Sequence, residues 1–231
     1  MHPVNKIHVS ERERADISGK RESVYSALIW DFDGTLFNTY PAMAKALSRA
    51  LEKMGHQLPA PEAHRLLKVS LRHAVEVSRN LFGPIEKVEL EQRFLEERRA
   101  VEEPLSQPFP GAKEVCEHMR ATGGRNFIYT HKEKTVVERL LHRFGMEKLF
   151  SDIVGGDDGH PHKPSPHGFL YLVKQHNLSP SATLTVGDRP LDITAAHAAG
   201  LAAVQLVEEG SQVAEDADYH IRQLIELIPL V

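Results

Sequence analysis

Two short acidic stretches hold the residues whose types and spacing suggest chemistry. Asp31-Phe32-Asp33-Gly34-Thr35-Leu36 follows an apolar run, and Val186-Gly187-Asp188-Arg189-Pro190-Leu191-Asp192 again places acid after an apolar run, with a second acid four residues on. Side chains alternate along extended backbone, so Asp31 and Asp33 are expected to start on the same side, with Gly34 letting the chain turn away. Two carboxylates at one point repel unless a cation lies between them or one takes a proton. The spacing therefore asks for a metal or for a division into acid and base. Asp188 and Asp192 can face the same pocket, and hard oxygen donors of this kind suit magnesium. Plainer roles fit the same residues: an Asp-Gly turn for the first stretch and a helix N-cap for the second.

Between these stretches lie Thr130, at the end of another apolar run, and Lys163, in the turn His162-Lys163-Pro164-Ser165-Pro166. A hydroxyl, the backbone amides of a helix start and an ammonium are what a phosphoryl group would need, and Lys163 could also pair with a nucleophilic carboxylate. Either residue alone also suits a cap or a solvated surface charge.

The elements that must position these groups follow from the pattern. Val24–Trp30 reads as a buried strand, and 126–130, 182–186 and 202–206 repeat the arrangement. Helical spacing over 133–144, 166–176 and 191–199 alternates with them, the last closed by Gly200. Such alternation predicts an α/β fold, a doubly wound parallel sheet with its ligand beyond the carboxyl ends of the strands. Between Phe37 and Pro108 the spacing is helical throughout, over 41–54, 61–82 and 85–101, with no strand signal. This predicts an inserted α-helical cap domain over 38–107, with Leu47, Leu51, Leu66, Leu67, Leu71, Leu90 and Phe94 as its core. The α/β core would comprise 24–37 and 108–231, behind a charge-rich N-terminal arm at 1–23.

At 231 residues the chain exceeds the usual single core, which allows a core with an insert. Its net charge of −4 argues against a general nucleic-acid or anionic-membrane binder, which would gather Lys and Arg on one face. No apolar run approaches the ~20 residues that span a bilayer. The lone Cys116 and the lack of a signal-peptide pattern lead to the expectation of a cytoplasmic protein, with Cys116 simply packed. The tract Gly159-His160-Pro161-His162-Lys163, with His167, invites a zinc reading, but its imidazoles flank a lysine that would repel a metal.

With all four elements in order, the sequence resembles the haloacid dehalogenase superfamily, in its branch with a helical cap after the first motif. The general likeness is to phosphoglycolate-phosphatase-like and β-phosphoglucomutase-like proteins. Asp31-Phe32-Asp33-Gly34-Thr35-Leu36 looks like the first motif, Thr130 the second, Lys163-Pro164 the third, and Gly187-Asp188 through Asp192 the fourth. The resemblance implies that Asp31 attacks phosphorus to form an aspartyl-phosphate. It implies that Asp33 protonates the leaving alcohol and then deprotonates water. Mg2+ would be held by Asp31, the Asp33 carbonyl and Asp188, with Asp192 as a ligand or in support. Thr130, the His131 backbone and Lys163 would hold the phosphoryl oxygens. His131 departs from the Asn or Ser usual there.

The implied activity is hydrolysis of a small phosphorylated metabolite by a monomer or homodimer. A sugar phosphomutase and a non-catalytic module retaining the fold are the alternatives. A phosphonate hydrolase would need a reactive lysine, for which Lys53, Lys68 and Lys87 are available. Asn38, Tyr40, Lys68, Arg72 and His73 are the residues of the insert expected to face the substrate.

Overall fold

The computed structural model describes residues 25–231, so the expected arm lies outside the described residues. Six parallel strands form one sheet: β1 Ala27–Trp30, β4 Arg125–Tyr129, β5 Phe150–Val154, β6 Thr183–Gly187, β7 Ala202–Leu206 and β8 Tyr219–Ile221, in the order β5-β4-β1-β6-β7-β8. Two further strands, β2 Phe37–Asn38 and β3 Gln107–Pro108, pair antiparallel where the chain leaves and rejoins this sheet.

β1 sits centrally because it is apolar on both faces. Leu28 and Trp30 join one apolar cluster and Ala27 and Ile29 the other. Helices α5 Ala112–Ala121 and α6 Lys134–Arg143 cover the first face, and α7 His167–Gln175 and α8 Pro190–Ala198 the second. This is the doubly wound arrangement expected of the sequence. Cys116 packs into the first cluster, and burial pushes its thiol pKa up, so it has no thiolate character.

Strand boundaries differ from the sequence reading by up to three residues. Two strands carry no strong signal: β5 contains Ser151 and Asp152 and is only partly buried, while β8 is three residues long. Both lie at the edges of the sheet, where one side of the ladder faces solvent and polar residues are tolerated.

Four helices fill the stretch between β2 and β3: α1 Tyr40–Lys53, α2 Ala60–Val69, α3 Leu71–Phe82 and α4 Lys87–Leu105. They share an apolar cluster of their own, in which Leu47, Leu51, Leu66, Leu67, Leu90 and Phe94 are buried and Leu71 packs at the margin. The single helix expected over 61–82 is two. Ser70 is extended (φ −176°), and its hydroxyl accepts from the His73 amide, capping α3. The expectation of no strand between Phe37 and Pro108 also needs correction, because Phe37 and Asn38 pair with Pro108 and Gln107. Two residues are too few to show alternation.

Candidate active site

The carboxyl ends of β4, β1 and β6 lie side by side, so the residues that follow them meet despite wide separation in sequence. Asp31, Thr130 and Asp188 occupy those three ends, and all are buried. Lys163 reaches in from the loop before α7, and Asp192 from the first turn of α8. Asp31, Asp188 and Asp192 each offer a carboxylate oxygen, all within 4.8 Å of one another.

Lys163 is the cation that ties this cluster together. Its ammonium, fully buried, donates to Asp31 Oδ1 at 2.8 Å and to Asp192 Oδ1 at 2.7 Å. Burial alone would lower the Lys163 pKa, but the two carboxylates outweigh it and raise it. Asp192 is engaged on both oxygens, since its Oδ2 accepts from the Arg189 amide at 3.1 Å as part of a capping box opening α8. The cap reading and the cluster reading of Asp192 therefore both hold.

Two oxygens of the cluster remain without a hydrogen bond: Asp31 Oδ2 and Asp188 Oδ1, each buried, the latter with Arg189 Nε 3.8 Å away. Burial drives both acids upward in pKa, to about 6 for Asp31 and about 7 for Asp188, against the lowering by Lys163 and Arg189 respectively. Buried, unbonded carboxylate oxygens cost free energy unless something positive meets them. Hard oxygen donors left open in this way fit a divalent cation, and Asp31 and Asp188 could hold one, with Asp192 beside them. Among the described residues this is the only group of three such side chains.

Asp33 does not join that group through its side chain, which corrects the expectation that both acids of the first stretch meet at one point. Gly34 turns the chain with φ +81° and Phe37 returns to pair with it. The Asp33 carboxylate then faces Thr39, whose hydroxyl donates to Oδ1 at 2.7 Å, and Lys132, whose ammonium lies 3.0 Å from the same oxygen. Burial would raise its pKa, but Lys132, Arg98 and Thr39 outweigh burial and lower it.

Thr130 is buried at the end of β4, and its hydroxyl accepts from the Lys132 amide at 3.2 Å. The His131 side chain braces the neighbouring loop: its Nε2 accepts from the Lys163 amide at 2.8 Å, and its ring stacks on His162 at 4.4 Å. Burial, then Lys163, lowers its pKa to about 3, so the imidazole is neutral. The departure at this position thus supports the lysine loop. His160 packs instead on Tyr171, and the histidine tract forms no ligand group among the described residues.

Of the residues of the insert, Tyr40 and Lys68 reach the cluster. The Tyr40 hydroxyl donates to Asp188 Oδ2 at 3.0 Å, and Lys68 Nζ lies 4.6 Å above the Tyr40 ring while pairing with Glu208. Arg72 pairs with Glu76 on the surface. The His73 amide donates to the Ser70 hydroxyl in the α3 cap. Asn38 lines a separate cavity of about 640 Å³ with Phe109, Glu114 and Arg222. Lys53 and Lys87 pair with Glu97 and Glu91.

Sequence reasoning passed over Lys132, Glu102 and Arg189. Lys132 left one trace: a lysine just before a helix start, where the dipole disfavours a cation, needs an acid to hold it.

The haloacid dehalogenase-like hydrolase family model matches residues 28–206. The chain belongs to this family. Among the haloacid dehalogenase-like hydrolases it is similar to a phosphoglycolate phosphatase of Mannheimia succiniciproducens, 32% identical over 80% of this chain and 86% of that one. It is also similar to a phosphoglycolate phosphatase of Vibrio parahaemolyticus, 28% identical over 88% of this chain and 95% of that one. A crystal structure described as a predicted phosphoglycolate phosphatase from Haemophilus somnus superposes with a TM-score of 0.76 at 25% identity, covering 89% of this chain and 97% of that one. A Thermotoga maritima protein assigned as a β-phosphoglucomutase shares the fold, with a TM-score of 0.71 at 23% identity over 88% of this chain and 96% of that one. This haloacid dehalogenase-like protein is thus a phosphatase-type hydrolase. None of the helices among its described residues is long and apolar enough to cross a membrane.

Proposed function

We propose that this hydrolase is a magnesium-dependent phosphatase of small phosphate monoesters, of the phosphoglycolate type, acting through an aspartyl-phosphate. The observation that carries this reading is the pair of buried oxygens on Asp31 and Asp188 that lack a hydrogen bond, beside an Asp31 whose other oxygen is held by Lys163. A carboxylate so fixed is a nucleophile already in position, and the open oxygens are donors for a cation.

In this reading the Asp31 carboxylate attacks phosphorus and the ester oxygen departs, taking a proton from Asp33. The negative charge of the bound phosphoryl group opposes the lowering of the Asp33 pKa by Lys132, Arg98 and Thr39 and favours its protonated form. Asp33 then removes a proton from the water that attacks the aspartyl-phosphate, which releases inorganic phosphate and restores Asp31. Thr130, the His131 amide and Lys163 hold the non-bridging oxygens. Magnesium, held by Asp31, the Asp33 carbonyl and Asp188, would offset the charge of the phosphoryl group beside these acids. Asp192 supports Lys163, since both of its oxygens are already engaged.

Residues 38–107 act here as a cap domain over a core of 24–37 and 108–231. The protein works in the cytoplasm as a monomer or homodimer. The test is release of phosphate from 2-phosphoglycolate and a panel of small phosphate esters. Turnover is expected with magnesium and not with EDTA or in Asp31→Asn, and turnover that survives EDTA would overturn the reading.

A further inference from the structure

Lys132 is the buried cation that neither the cluster around Asp31 nor the sequence motifs account for. It follows Thr130 by two residues, its side chain is fully buried, and its ammonium lies between two carboxylates: Asp33, 3.0 Å away, and Glu102, with which it is in direct contact. Glu102 lies near the end of α4, the last helix before β3, and its other oxygen is 3.4 Å from Arg98 Nε. A chain of alternating charge thus runs from α4 through Lys132 to Asp33.

Such a chain is costly to bury unless every member is paired. Desolvating ions takes several kcal/mol each, and removing one member strands the next. Its members are paired, and the arrangement is directional. Thr39 and Lys132 both approach Asp33 Oδ1, at 2.7 and 3.0 Å. The carboxylate is therefore held from two sides at that oxygen, which restricts its orientation. Asp33 would be free to rotate with Thr39 alone, since one hydroxyl does not fix a carboxylate plane. Lys132 in turn has no freedom to follow Asp33, because Glu102 anchors it to a helix that packs mainly on α1.

We propose that Lys132 is a positioning residue. Held by Glu102, its ammonium sets the place of the Asp33 carboxylate and so makes proton transfer to the leaving group depend on how α4 sits on the sheet. This rests on the reading of Asp33 as the acid and base. It assigns no contact between Lys132 and substrate. The prediction concerns leaving groups: an alkoxide needs the proton, whereas 2,4-dinitrophenolate departs without it.

The experiment compares Lys132→Met, Glu102→Gln and Asp33→Asn in single turnovers with 2-phosphoglycolate and with 2,4-dinitrophenyl phosphate, with magnesium present. Full acid–base catalysis contributes about 10²–10⁴-fold, so Lys132→Met is expected to slow transfer from the alkyl phosphate about tenfold or more. Its dinitrophenolate burst should stay within about threefold, and KM should barely move. Glu102→Gln keeps the shape of the side chain. It should show the same selectivity, with a loss of about threefold or more on the alkyl substrate, and it decides the matter if Lys132→Met fails to fold. Equal losses on both substrates, or none, in a folded Glu102→Gln would overturn the proposal while leaving the reading of Asp33 intact. An Asp33→Asn variant that keeps full activity on the alkyl phosphate would sink both.

Discussion

Lys163 Nζ donates to Asp31 Oδ1 at 2.8 Å across 132 positions of sequence, and neither group is exposed. The same ammonium holds Asp192, so one buried lysine is shared by two buried carboxylates.

Replacing Lys163 with Met should therefore strand two buried acids. Breaking a buried ion pair by deleting one partner typically costs about 3–5 kcal/mol. Denaturant unfolding at pH 8 should show a loss of that order. The loss should shrink on acidification, because protonated Asp31 and Asp192 no longer need the cation.

Cation affinity should rise with pH. Asp31 and Asp188 bind protons up to about 6 and about 7 in the folded chain without metal, above their ordinary value of 3.8, and protons compete with a metal for those oxygens. In this window the folded state holds more protons than the unfolded state, so the contribution of these two groups to stability is fully present below about 4 and is lost as pH rises through about 7. Melting curves in EDTA should record that loss, and magnesium should restore more stability at pH 8 than at pH 5.

An Asp31→Asn variant separates chemistry from stability. It removes the proposed nucleophile and should lower turnover by about a thousandfold or more, as loss of a covalent catalyst does. It also relieves repulsion with Asp192, so its stability in EDTA at pH 8 should be undiminished. A large loss of stability there would show that Asp31 serves the fold.

Tyr40→Phe keeps the ring beneath Lys68 and removes the hydroxyl that donates to Asp188 Oδ2. Supporting hydrogen bonds of this kind typically tune metal affinity by about 10–100-fold, so magnesium titration of activity should shift to higher concentration. Stability without metal at pH 8 should fall by about 1–3 kcal/mol, because a buried carboxylate oxygen loses its donor.

Gly34→Ala should be harsher than its size suggests. The backbone there has φ +81°, and an added Cβ would lie 2.3 Å from Tyr40 Cε2 and 2.5 Å from Asp188 Oδ2. Expression, melting temperature and activity should all fall, whereas Gly55→Ala, with the same sign of φ and open space around it, should cost stability without touching turnover.

The sequence by itself determined the α/β class, the helical insert and the order of the four polar clusters. Buried parallel strands must be apolar on both faces, and an acid directly after such a run stands out. Asp31 and Asp188 were legible for that reason, Thr130 from its place after another such run, Asp192 from its spacing to Asp188, and Lys163 from its Pro-rich turn. Periodicity is a property of one element, and it said nothing of β5 and β8, whose edge positions tolerate polar residues, or of the break at Ser70, which depends on a single side-chain bond.

Only the tertiary structure decided which carboxylates meet. Local alternation placed Asp33 beside Asp31, but the turn at Gly34 sends its carboxylate to Thr39 and Lys132 while Asp188 and Asp192 come to Asp31 from the end of β6 and from α8. Strand order brings these ends together, and strand order is a relation between segments far apart in the chain. The pairing of Lys132 with Glu102 is of the same kind: two ordinary surface-type residues in sequence, buried in a chain of charges that also takes in Asp33 and Arg98.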